Sequence, residues 1–79
     1  MAIDDDVEVI GECAFSGIES LKVLKLHSLS SVSTPKLVIE KGAFAGCPSL
    51  TTLTSKDGGY MSFQKIEYYA FGFCDIQEV

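Results

Sequence analysis

The stretch Ile39-Glu-Lys-Gly-Ala-Phe-Ala-Gly-Cys-Pro-Ser-Leu-Thr-Thr-Leu53 constrains this chain more than any other, because it occurs once before and, in altered form, once after. The earlier copy is Ile10-Gly-Glu-Cys-Ala-Phe-Ser-Gly-Ile-Glu-Ser-Leu-Lys-Val-Leu24, and the later one is Ile66-Glu-Tyr-Tyr-Ala-Phe-Gly-Phe-Cys-Asp-Ile-Gln-Glu-Val79. Ile10, Ile39 and Ile66 lie 29 and 27 residues apart, and the pairs Ala14-Phe15, Ala43-Phe44 and Ala70-Phe71 keep those spacings. Random placement of the chain's alanines and phenylalanines would give about 0.3 such pairs, whereas three occur in one register. A fixed period of roughly 20 to 50 residues marks a solenoid, so the expected architecture is a stack of about three coils.

Each residue type in the unit has a physical reason. Ile10, Ala14 and Ile18, like Ile39, Ala43 and Cys47, recur at the spacing of one helical face but over too few residues for a full helix. The expectation is a strand end followed by one or two helical or 3₁₀ turns. Alanine fits where backbones approach, and the phenylalanine beside it carries a large apolar side chain inward. Stacked units would place each Phe over the next, an aromatic ladder that buries a large area. Leu21-Lys-Val-Leu-Lys-Leu26 then reads as a short strand with one face buried, matched by Leu50-Thr-Thr-Leu53 and Ile76-Gln-Glu-Val79.

The combined unit, Ile-x-x-x-Ala-Phe-x-x-Cys-x-x-Leu-x-x-Leu, resembles the BspA-like class of leucine-rich repeat, found in large surface and secreted proteins of bacteria and protists. The resemblance covers about residues 7 to 79. Three departures stand out: Ile18 occupies the position where the class usually has Cys, one residue is missing between Cys74 and Ile76, and the units run longer than the usual repeat. The implied fold is a leucine-rich-repeat solenoid, β-rich with short helical or 3₁₀ turns. It divides into an acidic lead over 1–6 and a single repeat domain over 7–79, with units of about 7–35, 36–62 and 63–79. The resemblance also implies recognition of proteins, at a cell surface or in adhesion.

Bulk properties exclude other classes. The formal charge is -5, with six Lys and Arg against eleven Asp and Glu. Nucleic-acid binding needs clustered cations that displace phosphate counterions, and here only Lys22 and Lys25 lie close together. No apolar run reaches the roughly 18 residues of a membrane helix. Met-Ala-Ile-Asp-Asp-Asp has neither the basic region nor the apolar core of a signal peptide. The chain is therefore expected to be intracellular or else a piece of a longer secreted protein. Asp4, Asp5 and Asp6 lack the alternation and glycine of a calcium loop, so a solvated, frayed terminus is expected there.

The connections offer little chemistry. His27-Ser-Leu-Ser-Ser-Val-Ser-Thr-Pro35 reads as a polar linker with Leu29 and Val32 tucked against the coil and His27 on the surface. Asp57-Gly58-Gly59 signals a tight turn in a hairpin or protruding loop; Tyr60 and Met61 are expected to pack back on the coil, the alternative being a contact patch for a partner. Cys47 and Cys74 are equivalent residues of consecutive units and read as reduced core thiols, with a disulfide between coils the second reading, while the out-of-register Cys13 should be more exposed. Their spacing is not that of a zinc site. A thiol enzyme built on Cys13 and His27 would rest only on the presence of both residues. No catalytic, cofactor or metal site is expected.

A binding function would use the strand face, where neighbouring strands build one surface whose outward residues are free to vary. The candidates are Val23 and Lys25, Thr52 and Thr54, and Glu78, flanked by Lys22, Thr51 and Gln77. This mixed face suits a protein partner, with no nucleic acid and no membrane insertion. The second reading is a structural subunit or fragment. Neither end carries the polar cap that terminal repeats need, and Val79 closes the chain inside an apolar strand. Such ends would join a second copy or a larger chain.

Overall fold

In the computed structural model, residues 1–32 and 34–78 are described. Five short strands alternate between two parallel sheets: β1 Val9–Ile10, β2 Val23–Leu26, β3 Val38–Ile39, β4 Thr52–Ser55 and β5 Lys65–Ile66. One sheet has the order β1-β3-β5 and the other pairs β2 with β4. Every pairing joins equivalent residues of consecutive units: Ile10 with Ile39, Ile39 with Ile66, and Leu24 with Leu53. The repeat register read from the sequence is thus the hydrogen-bonding register of the fold.

The core lies between the two sheets. β2 and β4 alternate outward and buried residues, with Leu24 and Leu26 fully enclosed, Leu53 and Ser55 beneath, and Leu37, Ile39 and Leu50 closing the space. The aromatic ladder is present. Phe15 and Phe44 stack with centroids 5.3 Å apart and planes 10° from parallel, and Phe44 and Phe71 stack at 5.4 Å and 4°. Phe44 is wholly buried, whereas Phe15 and Phe71 are half-buried because each has a neighbour on one side only.

The Ala-Phe segments are turns. Among the described residues no helix of either kind forms. Each unit places left-handed residues four apart: Cys13 and Gly17, Gly42 and Gly46, Tyr69 and Phe73, with φ between 56° and 74°. A helix needs consecutive right-handed residues, so this pattern breaks the chain into separate turns, closed by Ala14 N to Gly11 O, Ala43 N to Glu40 O and Ala70 N to Glu67 O. Turns of adjacent units are laced together: Phe15 N donates to Ala43 O and Phe44 N to Ala70 O, both within 2.8 Å.

The start of the chain departs from the expected frayed lead. Ala2 pairs in parallel with Lys25, Ile3 N donates to Lys25 O at 2.9 Å, and Ile3 is buried. Residues 1–3 thus cover the free edge of β2, and Asp5 meets Lys56 in an exposed ion pair at 3.2 Å. His27 is likewise corrected from surface to core. It is fully buried and its Nε2 lies 2.8 Å from Asp4 O, because the returning lead closes over it. Leu29, expected to tuck inward, is exposed, while Val32 is half-buried. The strand expectation for Val79 lies outside the described residues.

Candidate functional site

The outward residues of β2 and β4 are brought side by side by their pairing. Val23 lies opposite Thr52 and Lys25 opposite Thr54, and Glu78 bridges to the far side of Thr52. One row therefore runs Val23, Thr52, Glu78, and a second runs Ala2, Lys25, Thr54. Ala2 was not anticipated in this surface. The flanking residues form a further row, since Thr51 N donates to Lys22 O and Gln77 N to Thr51 O. Lys22, Lys25, Gln77 and Glu78 are exposed, and Val23, Thr51, Thr52 and Thr54 are half-buried. The hydroxyls of Thr51 and Thr52 lie 3.5 Å apart. The surface offers two ammonium groups at one side, hydroxyls in the centre and a carboxylate at the other side.

The cysteines perform a repeated structural task. Cys47 Sγ donates to Phe15 O at 3.3 Å and Cys74 Sγ to Phe44 O at 3.1 Å, so each thiol serves the ladder phenylalanine of the preceding unit. Cys47 is buried and Cys74 half-buried, and all three cysteines carry free thiols. Burial, before any other cause, pushes the Cys74 thiol above the usual cysteine range. Ile18 holds the same position in the first unit and packs against the core without such a bond. Cys13 is exposed on its turn, close to where a side chain at Gly42 would sit. No hydrogen bond joins it to the buried His27. Among the described residues no group of three or more His, Cys, Asp or Glu is placed to hold a metal.

Two further features escaped the sequence. Asp57 is a hub between the connections: its carboxylate accepts from the Ser30 hydroxyl, from Ser55 Oγ at 2.9 Å and from Gly59 N at 2.9 Å, and its own N–H donates to Ser28 Oγ. The Ser30 hydroxyl foremost among these donors holds the carboxyl well below the usual carboxylate range. This hub, with Met61 pairing antiparallel to Ser28, ties the 55–61 loop to the 28–32 turn, and Tyr60, expected to pack back on the coil, is instead 85% exposed at its tip. Met61 packs against the core as expected.

The second feature is an aromatic shelf. Tyr69 and Phe73 stand where the second unit has Gly42 and Gly46, and they adopt the same left-handed conformation despite their side chains. Such residues strain by about 1–2 kcal/mol each. Their rings stack at 5.7 Å, Tyr68 joins at 4.3 Å from Tyr69, and all three are exposed. Gly72 makes room for the shelf, because a Cβ there would come within 2.5 Å of Tyr69 Cδ1.

Parallel strands paired in repeat register, a phenylalanine ladder and a repeated turn define a strand-rich repeat protein whose units differ mainly in their exposed residues. The family described as "BspA type Leucine rich repeat region (6 copies)" matches residues 1–34 and 27–79, which together span the chain, and the protein belongs to this family. No curated protein and no solved structure matches it. No helix among the described residues is long and apolar enough to cross a membrane.

Proposed function

We propose that this chain is a noncatalytic protein-recognition module, of the kind used in surface recognition or adhesion, and that it binds its partner through the outward face of β2 and β4. The observation that carries this reading is the side-by-side alignment of Val23, Thr52 and Glu78 beside Lys25 and Thr54 on a sheet whose other face is locked into the core. A scaffold of this kind separates the two demands on a binding protein: inward residues fix the shape, and outward residues can vary without loss of the fold. Membership of a leucine-rich-repeat family supports protein interaction as the general role.

The chemistry of the face favours a protein of mixed charge. Lys22 and Lys25 suit a carboxylate pair on the partner, Glu78 suits a cation, and the threonines supply short, adaptable hydrogen-bonding groups. The test is capture of partners by the wild-type chain and by Lys25→Glu and Thr52→Arg, with circular dichroism on each. Both variants should lose the partner and keep the wild-type melting curve. A partner held equally by both variants would overturn the assignment of the face.

A further inference from the structure

We propose that the bond between Asp57 and Gly58 is a self-modification site, one that rearranges to isoaspartate when the 55–61 loop opens, and that the hub around Asp57 keeps it closed in the folded chain. The chemistry needs only water. The Gly58 amide nitrogen attacks Asp57 Cγ, and the new N–Cγ bond forms as one carboxyl oxygen leaves as water, carrying its own proton and the amide proton. Water then opens the resulting succinimide ring at either carbonyl. Opening at Cγ restores aspartate. Opening at the Asp57 backbone carbonyl leaves the main chain running through Cγ, with a free carboxylate on Cα and no net change in mass.

The sequence supplies the reactive pair. Asp57 is the only aspartate followed by glycine, and a glycine there leaves the attacking nitrogen without a flanking side chain. The turn requires that glycine for its own reason. Gly58 has φ 82°, in the left-handed region, and a Cβ added to it would meet nothing within 4 Å. Asp57, Gly58 and Gly59 are all exposed, so water reaches the bond freely.

The fold withholds what ring closure needs, which is a protonated carboxyl free to swing toward the Gly58 nitrogen. One carboxylate oxygen accepts from Ser55 Oγ and Gly59 N, both at 2.9 Å, and the other accepts from the Ser30 hydroxyl. The Ser30 hydroxyl first, and the Gly59 N–H after it, keep the carboxyl ionised well below the usual carboxylate range. The backbone is held too: Gly58 N donates to Ser55 O at 3.3 Å, and Asp57 N to Ser28 Oγ at 3.1 Å. Ser28 and Ser55 are 1% and 2% exposed, so the core fixes them in place. Ser28 and Ser30 lie 29 and 27 residues from Asp57 in the chain, so this protection exists only once the two connections have met. Rearrangement would lengthen the backbone by one methylene and move the carboxylate away from its donors. The tie between the 55–61 loop and the 28–32 turn would then be lost.

The test incubates the full chain at mildly acidic pH, folded in buffer or unfolded in urea, and measures isoaspartate at residue 57 by peptide mapping, which separates the isomers at equal mass. The unfolded chain should accumulate it steadily and the folded wild type far more slowly. Loss of a hydrogen bond to a charged group raises its protonated fraction about tenfold, so folded Ser30→Ala should rearrange about tenfold faster than wild type. Ser31→Ala, which removes an exposed hydroxyl of the same turn outside the hub, should match wild type. Asp57→Glu, which would have to close a larger ring, should abolish the signal. Circular dichroism verifies folding, and Ser55→Ala stands in should Ser30→Ala unfold. The rearranged wild type should be cut faster by protease within the 55–61 loop. No isoaspartate in the unfolded chain, equal rates folded and unfolded, a folded hub variant as slow as wild type, or a signal that survives Asp57→Glu would each overturn the proposal.

Discussion

Phe44→Ala tests the core of the reading directly. Phe44 is fully buried and is the one ladder residue with a ring on both sides, at 5.3 and 5.4 Å. Burying a phenylalanine side chain contributes about 1.5–3 kcal/mol, and each stacked aromatic pair adds about 0.5–1.5 kcal/mol. The deletion should therefore cost about 3–5 kcal/mol, the range seen for truncating a core phenylalanine. A chain of this size has roughly 4–12 kcal/mol in all, so the variant should lie close to the edge of folding. Phe15→Ala and Phe71→Ala each remove a half-buried ring and one stack, and each should cost roughly half as much. Urea unfolding followed by circular dichroism at low protein concentration gives all three values. Three equal losses, or a loss below about 1.5 kcal/mol at Phe44, would refute a ladder with Phe44 at its centre.

Other measurements bear on particular residues. A thiol reagent at mildly alkaline pH should label Cys13 first, Cys74 more slowly because burial holds its thiol protonated, and Cys47 only as the chain unfolds; mass spectrometry of the labelled peptides gives the order. Asp57→Asn should loosen the 55–61 loop, seen as faster proteolysis there. Because the folded Asp57 carboxyl lies below its ordinary value of 3.8, its contribution is complete above that pH and is lost as pH falls further, so the stability gap between wild type and Asp57→Asn should be constant above about pH 4 and shrink below it. Phe73→Gly deletes a whole ring, yet it should stay within about 1 kcal/mol of wild type in monomer stability. The ring is 83% exposed and glycine relieves the left-handed strain.

The sequence was most informative where it repeats. Equal spacing of Ile10, Ile39 and Ile66 gave the strand register, and the Ala-Phe pairs gave the ladder, because a stacked unit must superpose its own equivalents. The same logic aligned Val23 with Thr52 and Lys25 with Thr54 on the candidate face. What repetition did not carry was the shape of the turn. The first unit has Cys13 and the third has Tyr69 and Phe73 where glycine would have signalled a positive φ, so helical spacing of the apolar residues was the stronger cue and pointed to the wrong local form. His27 was misread because its acceptor, the carbonyl of Asp4, comes from a segment with no counterpart in the repeat. Ser28 and Ser30 resembled linker composition, yet Asp57 draws them together with Ser55.

The thiol-to-carbonyl bonds give the stack a grammar as well as a stability. A unit bearing cysteine bonds its thiol to the phenylalanine carbonyl of the unit behind it, whereas a unit bearing isoleucine there can make no such bond. Moving the first unit into second place would bury a carbonyl without a donor, at about 1–3 kcal/mol, while the second unit moved to the front would carry an idle thiol. The three units share one outline yet are not interchangeable without that loss, because the bond is made between neighbours and not within a unit.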